Sequence, residues 1–187
     1  FEINCVFLLE INDNDMIKDN SKIIIRVATE TDIGHIKTLI EEGKRKMIAS
    51  GNLHQWSASH PSIEQLHQDI LNGNSYLVID VANPSPPLAT FAAIASPEPT
   101  YTVIEEGQWL NDASYYVIHR VASAPNTHGI MRAIINFVFT LTNNIRIDTH
   151  ADNILMRSAL ERLGFTYCGI IYLENGDTRV AYQKIKE

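Results

Sequence analysis

Tyr115-Tyr116-Val117-Ile118-His119-Arg120-Val121-Ala122, then Ser123-Ala124-Pro125-Asn126-Thr127-His128-Gly129, then Ile130-Met131, is the stretch on which the fold turns. Its first part is β-branched and aromatic and reads as a strand. The middle part carries turn-formers. From about His128 to Thr142 apolar residues cover most of the surface of a helical pattern, which predicts a deeply buried helix. A strand that runs through a short loop into a helix leaves backbone N–H groups free at a positive dipole end, which is an anion site. Gly129 lacks a side chain where a phosphate could approach. An ordinary strand-to-helix connection with a tolerated glycine is the other reading of this loop. No Gly-Lys-Ser/Thr sequence is present, so a P-loop is disfavoured.

On the N-terminal side of this stretch, Ile23-Ile24-Ile25-Arg26-Val27 reads as a strand. Thr29 and Asp32 have capping-box spacing ahead of a helix whose Ile33, Ile36, Leu39, Ile40 and Met47 recur at helical intervals until Gly51. Ser62 and Gln65 repeat the box for a second helix ending near Gly73. The segment between them, 52–61, is irregular. Ser75 to Val81 and Leu88 to Ala95 predict a hairpin around a proline-rich turn, and a long connection, Ser96 to Ser114, follows.

On the C-terminal side, Ile145 to Thr149 is a short strand. Asp152 or Asn153 caps a helix that Gly164 ends, and Phe165 to Leu173 with Thr178 to Ile185 close the chain as a hairpin around Asn175-Gly176-Asp177. Helices and strands in this order make an α+β domain with a mixed sheet.

The 187 residues, 45% of them apolar, suffice for one ordinary domain. The expected organisation is an N-terminal extension over 1–22, with an edge strand within Phe1 to Ile11, followed by a single domain over 23–187. The sequence does not begin with Met, and Met16 is an alternative start. The net charge of −7 with scattered basic residues argues against nucleic acid and anionic membrane as partners. The one basic run, Lys44-Arg45-Lys46, reads as a solvated helix face. Cys5 and Cys168 have neither metal nor disulfide spacing, which fits a reducing cytoplasm, and no metal site is expected.

Asn126-Thr127-His128-Gly129-Ile130-Met131 resembles the Gln/Arg-x-x-Gly-x-Gly/Ala signature of the GNAT N-acetyltransferase superfamily. Asp152-Asn153-Ile154-Leu155-Met156 to Leu163-Gly164-Phe165 resembles that superfamily's closing stretch. The resemblance spans about Ile23 to Lys184. It implies a three-layer fold: a mixed, mostly antiparallel central sheet splayed between two adjacent parallel strands, flanked by about four helices. Acetyl-CoA would be the acyl donor, its pantetheine pairing with backbone at Val121, Ala122 and Ser123. Its pyrophosphate would lie on the loop of Asn126, Thr127, His128, Gly129, Ile130 and Met131, with Asn153 near the thioester arm. Three positions depart from the pattern: Asn126 replaces Gln/Arg, Met131 replaces a small residue, and Leu160 stands where many relatives place a Tyr as general acid.

His119 and His150 are the candidates for general base, because imidazole titrates near neutral pH. Tyr167 and Cys168, just beyond Phe165, are the nearest substitutes for the missing acid. By period two His119 shares a strand face with Tyr115, Val117 and Val121, and Arg120 or Arg146 could pair with a carboxylate such as Asp148. His54, Trp56, Tyr101, Trp109 and Tyr115 are the expected acceptor contacts, aromatics beside polar groups forming a small-molecule cage. The expected activity is direct acetyl transfer to an amine of a small molecule or peptide, by proximity and carbonyl polarisation. A homodimer is a possible assembly. A non-catalytic acyl-CoA-binding module and a nucleotide-binding regulatory domain are the other two readings.

Overall fold

The computed structural model describes residues 7–9, 22–56 and 59–186. Apart from 7–9 and Lys22, the expected N-terminal extension, with Cys5 and Met16, lies outside the described residues. Among the described residues, eight strands and four helices follow in chain order. They are β1 (Phe7–Leu9), β2 (Ile23–Val27), α1 (Ile33–Ala49), α2 (Ile63–Leu71), β3 (Ser75–Asp80), β4 (Ala89–Ala95), β5 (Tyr116–Ser123), α3 (Ile130–Leu141), β6 (Asn144–Thr149), α4 (Ile154–Arg162), β7 (Thr166–Tyr172) and β8 (Thr178–Ile185). Two compact units divide the described residues: those within 1–44, 61–92 and 120–137 form the first, and those within 45–60, 93–119 and 138–187 form the second.

In the first unit the strand order is β1-β2-β3-β4, with β5 beyond β4, and the pairs from β1 to β4 are antiparallel. The expected capping chemistry is present. The Asp32 carboxylate accepts the backbone N–H of Thr29 at 2.8 Å, and the Ser62 hydroxyl accepts that of Gln65 at 3.1 Å. A short 3-10 turn, Glu30–Asp32, precedes α1, which buries Ile36, Leu39 and Ile40. Tyr76 stacks on Phe91 (5.2 Å between centroids) and tilts against Phe137 (5.1 Å), joining β3, β4 and α3. Helix α3 begins at Ile130 rather than at about His128, because Gly129 at φ +72° is not helical.

In the second unit the order is β5-β6-β8-β7. Strands β5 and β6 run parallel, and β6–β8 and β8–β7 run antiparallel. Register shifts between Tyr167 and Gly169, a β-bulge that also bridges Ile170 to Glu105 of the long connection. Close backbone approach explains two glycines there. A Cβ at Gly107 would collide with the carbonyl oxygen of Cys168, and Gly169 at φ +140° would bring one against the carbonyl of Glu105. The Asn153 side chain caps α4 by accepting the N–H of Met156 at 3.2 Å. Among the described residues no helix is long and apolar enough to cross a membrane.

Candidate active site

The parallel pair parts early. Only Tyr116 with Ile145 and Val117 with Arg146 are in register, although β5 runs on to Ser123 and β6 to Thr149. Two residues beyond the last pair on each strand stand His119 and Asp148. They face each other where the ladder has stopped, with His119 Nδ1 3.7 Å from Asp148 Oδ1. On its other side, His119 Nε2 lies 3.4 Å from Glu98 Oε2. All three side chains are mostly but not wholly buried, with 20%, 12% and 18% of their surface exposed in that order. An imidazole with a carboxylate on either side is placed for proton transfer, and partial exposure leaves a route for the proton.

The connection from Ser96 to Ser114 delivers the second carboxylate. Glu98 caps a 3-10 turn, Pro99–Tyr101, by accepting from the N–H (3.4 Å) and hydroxyl (3.0 Å) of Thr100. Hydrogen bonds from His119 and Thr100, with the imidazole's charge, hold the Glu98 carboxyl below the usual carboxylate range against the opposing effect of burial. Tyr101, fully enclosed, donates its hydroxyl to Asp148 Oδ1 at 2.7 Å. Burial and the adjacent Asp148 carboxylate drive the Tyr101 phenol well above its ordinary value, so it remains a donor. Its ring stacks on Trp109 (5.2 Å) and Tyr115 (6.2 Å) and meets His119 edge-on at 6.3 Å.

Arg146 sits behind this group. Its guanidinium lies 4.0 Å over the Trp109 ring and 4.0 Å over the Tyr115 ring, and its Nη2 donates to Asn111 O at 2.7 Å. Burial lowers its affinity for the proton. A buried amide layer fixes the neighbouring backbone. Gln183 accepts from Leu110 N (2.8 Å) and donates to Asn144 Oδ1 (2.7 Å), and Asn144 donates to Asn111 Oδ1 (2.9 Å).

A second convergence lies at the end of β6. The side-chain oxygen of Gln55 accepts from Asn52 Nδ2 (2.9 Å), Asn153 Nδ2 (2.9 Å), Thr149 Oγ1 (3.1 Å) and the His150 N–H (3.4 Å). The irregular 52–56 segment is thereby tied to the start of α4. His54 is tilted against His150 at 6.1 Å, and Trp56 is half-buried in the same segment. His150 Nδ1 accepts the N–H of Asp152 at 3.2 Å.

In the first unit, Val121, Ala122 and Ser123 end β5, and the loop from Asn126 to Gly129 leads into α3. Asn126 has φ +59° and Gly129 φ +72°, and Thr127 closes the turn by donating its hydroxyl to Ala124 O at 2.8 Å. Asn126, His128 and Gly129 are exposed, Met131 is half-buried and Ile130 is buried. Arg120, between His119 and Val121, has φ +53°, which breaks the simple alternation expected along β5. Its guanidinium is held by Asp69: Nη2 donates to Oδ1 at 2.8 Å, and Nε stands 2.6 Å from Oδ2 without hydrogen-bond alignment.

The structure thus joins His119 to Tyr101, and through Tyr101 to Trp109 and Tyr115; His54 meets His150, and Asn153 is held by Gln55. Tyr167 stands apart, half-exposed on the outer strand β7 and edge-on to Tyr182 at 5.8 Å. Leu160 is fully buried. Arg120 does pair with a carboxylate, that of Asp69, whereas Arg146 is flanked by aromatic rings. Sequence reasoning missed Glu98 and the convergent role of Gln55. The Glu98-Pro99-Thr100 start of a proline-led turn was a signal for the first. Among the described residues no group of three or more metal-ligating side chains is present.

No protein-family model matches the chain, and no curated protein matches it. Solved structures do. A GNAT-family acetyltransferase from Streptococcus agalactiae is 32% identical with a TM-score of 0.78, over 88% of this chain and 96% of that one. A GNAT-family acetyltransferase from Listeria monocytogenes is 22% identical at TM-score 0.67, over 92% and 99%. A chain of the NatC complex bound to Gag peptide and CoA is 16% identical at TM-score 0.55, over 88% and 99%. The last two share the fold alone. With 32% identity across nearly all of the streptococcal protein, and with a parallel strand pair that parts in the middle of a mixed sheet, this chain belongs to the GNAT family of acetyltransferases.

Proposed function

We propose that the protein is an acetyl-CoA-dependent N-acetyltransferase that passes the acetyl group directly to an amine of a small molecule or peptide. The observation that carries this reading is His119 held between Glu98 and Asp148 just past the last parallel pair. Family membership supplies the reaction class, and the imidazole supplies the group such a reaction needs on the acceptor side. His119 takes the proton from the incoming ammonium, so that its nitrogen gains a lone pair, and the two carboxylates stabilise the imidazolium that results.

The loop after β5 fits the donor in its backbone. The loop, with positive φ at Asn126 and Gly129, leads into the start of a 12-residue helix, where peptide N–H groups lack intrahelical partners, and Gly129 presents no side chain there. Thr127 to Met131 would hold the pyrophosphate, and Val121 to Ser123, continuous with His119 along the same strand, would pair with the pantetheine amides. Acetyl-CoA supplies the activated thioester. The CoA present in the NatC structure is consistent with this assignment. Asn153 is engaged by Met156 and Gln55, so its contribution to donor binding would require its Nδ2 to leave Gln55.

The test is acetyl-CoA-dependent thiol release with a panel of primary amines, alongside the His119→Gln variant. Loss of a positioned base predicts a fall in kcat of about 100- to 10,000-fold with little change in the KM for acetyl-CoA. Release with no amine in the panel, together with no rise in melting temperature on adding acetyl-CoA, would sink the proposal.

A further inference from the structure

We infer that Arg146 is a positioning residue for the reaction: clamped between Trp109 and Tyr115, it holds the connection that brings Glu98 and Tyr101 onto His119 and Asp148. The inference rests on the proposed role of His119. Burying a guanidinium is unfavourable unless something offsets its lost hydration. Arg146 is 4% exposed, and among the described residues its Nε has no hydrogen-bond partner and no carboxylate forms an ion pair with it. What it has instead is two aromatic faces, a hydrogen-bonding interaction with the Tyr115 side chain, and one backbone carbonyl. That is an expensive way to fill a core, and an apolar side chain of similar volume would do so at least as well.

Each ring that Arg146 touches makes a further contact that reaches the histidine. The Tyr115 hydroxyl accepts the backbone N–H of Glu98 at 3.2 Å, and Glu98 is the residue on His119 Nε2. The Trp109 indole N–H donates to Tyr101 O at 3.0 Å, and Tyr101 in turn donates to Asp148, which faces His119 Nδ1. Both carboxylates that flank the imidazole are therefore set through rings that pack on one guanidinium. A planar cation is the group that can satisfy two aromatic faces at once while its edge donates to Asn111. Register adds to this. Arg146 is the last residue of β6 paired with β5, so it anchors the clamp where the strands are still joined, immediately before they part at His119 and Asp148.

The experiment compares Arg146→Met, which keeps volume and removes the cation, with Arg146→Lys, which keeps charge and loses the plane, and Tyr115→Phe, which keeps the stack and loses the hydroxyl. The readouts are melting temperature, kcat, the KM for acetyl-CoA, and the ring 15N NMR signals of His119 in the protein alone. Expected are melting temperatures near the parent's for Arg146→Met and Tyr115→Phe. Their kcat should fall on the order of tenfold or more with the acetyl-CoA KM held within about twofold, Arg146→Lys should fall likewise, and the His119 ring signals should move in all three. A purely structural Arg146 would change the melting temperature and leave the His119 signals where they were. That outcome, or parent-like kcat and His119 signals in Arg146→Met and Tyr115→Phe, overturns the inference. If His119→Gln retains the parent's rate, the proposed base role of His119 fails instead, and the NMR comparison still decides whether Arg146 sets the surroundings of His119.

Discussion

Replacing Arg120 with glycine sets two effects of opposite sign against each other. At φ +53° within β5, Arg120 occupies a conformation that costs an L-residue roughly 1–2 kcal/mol and costs glycine almost nothing. Relief of that strain favours the variant. Against it stands the ion pair with Asp69, whose side chain is 5% exposed while that of Arg120 is 13% exposed, so water screens the pair little. Removing one member of such a pair costs about 3–5 kcal/mol, because the other charge is left buried. Asp69 would retain only the Gln65 amide, which donates to its Oδ1 at 3.1 Å. The greater chain entropy of a strand glycine subtracts roughly 0.5–1 kcal/mol more. The ion pair therefore wins, and the variant should be less stable by about 2–4 kcal/mol. With a urea slope on the order of 2 kcal/mol per molar, the unfolding midpoint should drop by about 1–2 M. A midpoint at or above the parent's would refute the reasoning, showing that strain at Arg120 outweighs its contact with Asp69.

Gly107→Ala should be destabilising by about 2–4 kcal/mol, since its Cβ meets the backbone of Cys168 and not a side chain that could turn aside, and thermal unfolding checks it. The same change should depress acetyl transfer, because the segment it displaces carries Glu98 and Tyr101. The Asp32 carboxyl is lowered from 3.8 to about 2, chiefly by its hydrogen bonds from Arg26. Because the folded value is the lower one, the stabilisation is complete above the unfolded value and disappears as pH falls through the folded one. With Arg26 one-third exposed, the contribution is about 1–2 kcal/mol at about pH 7, roughly half of it gone by about pH 3. Asp32→Asn should lose that amount at neutral pH and converge on the parent's stability in acid. A difference that stays constant in urea titrations across that range counts against it.

The sequence by itself determined the elements and their order, because those signals are local. Capping residues at Thr29, Ser62 and Asn153, the apolar face of α3, and the turn at Asn175-Gly176-Asp177 act within a few residues of themselves, and each appears at or beside the expected place. Element order with two short motifs was enough to indicate the family. What the sequence did not contain was the partner of each polar group. Asp148 could have answered Arg120 or Arg146, and only the register of β5 with β6, together with the path of the long connection, assigned it to Tyr101 and His119. Positive φ at Arg120 carried no signal either, since it is sustained by Asp69 from 51 residues away. Hydrogen bonds and charge contacts of this kind are worth little in an unfolded chain and become decisive once burial removes the competing water. The tertiary structure therefore decided which histidine stands between two acids, while the local code decided only that a histidine lay on that strand.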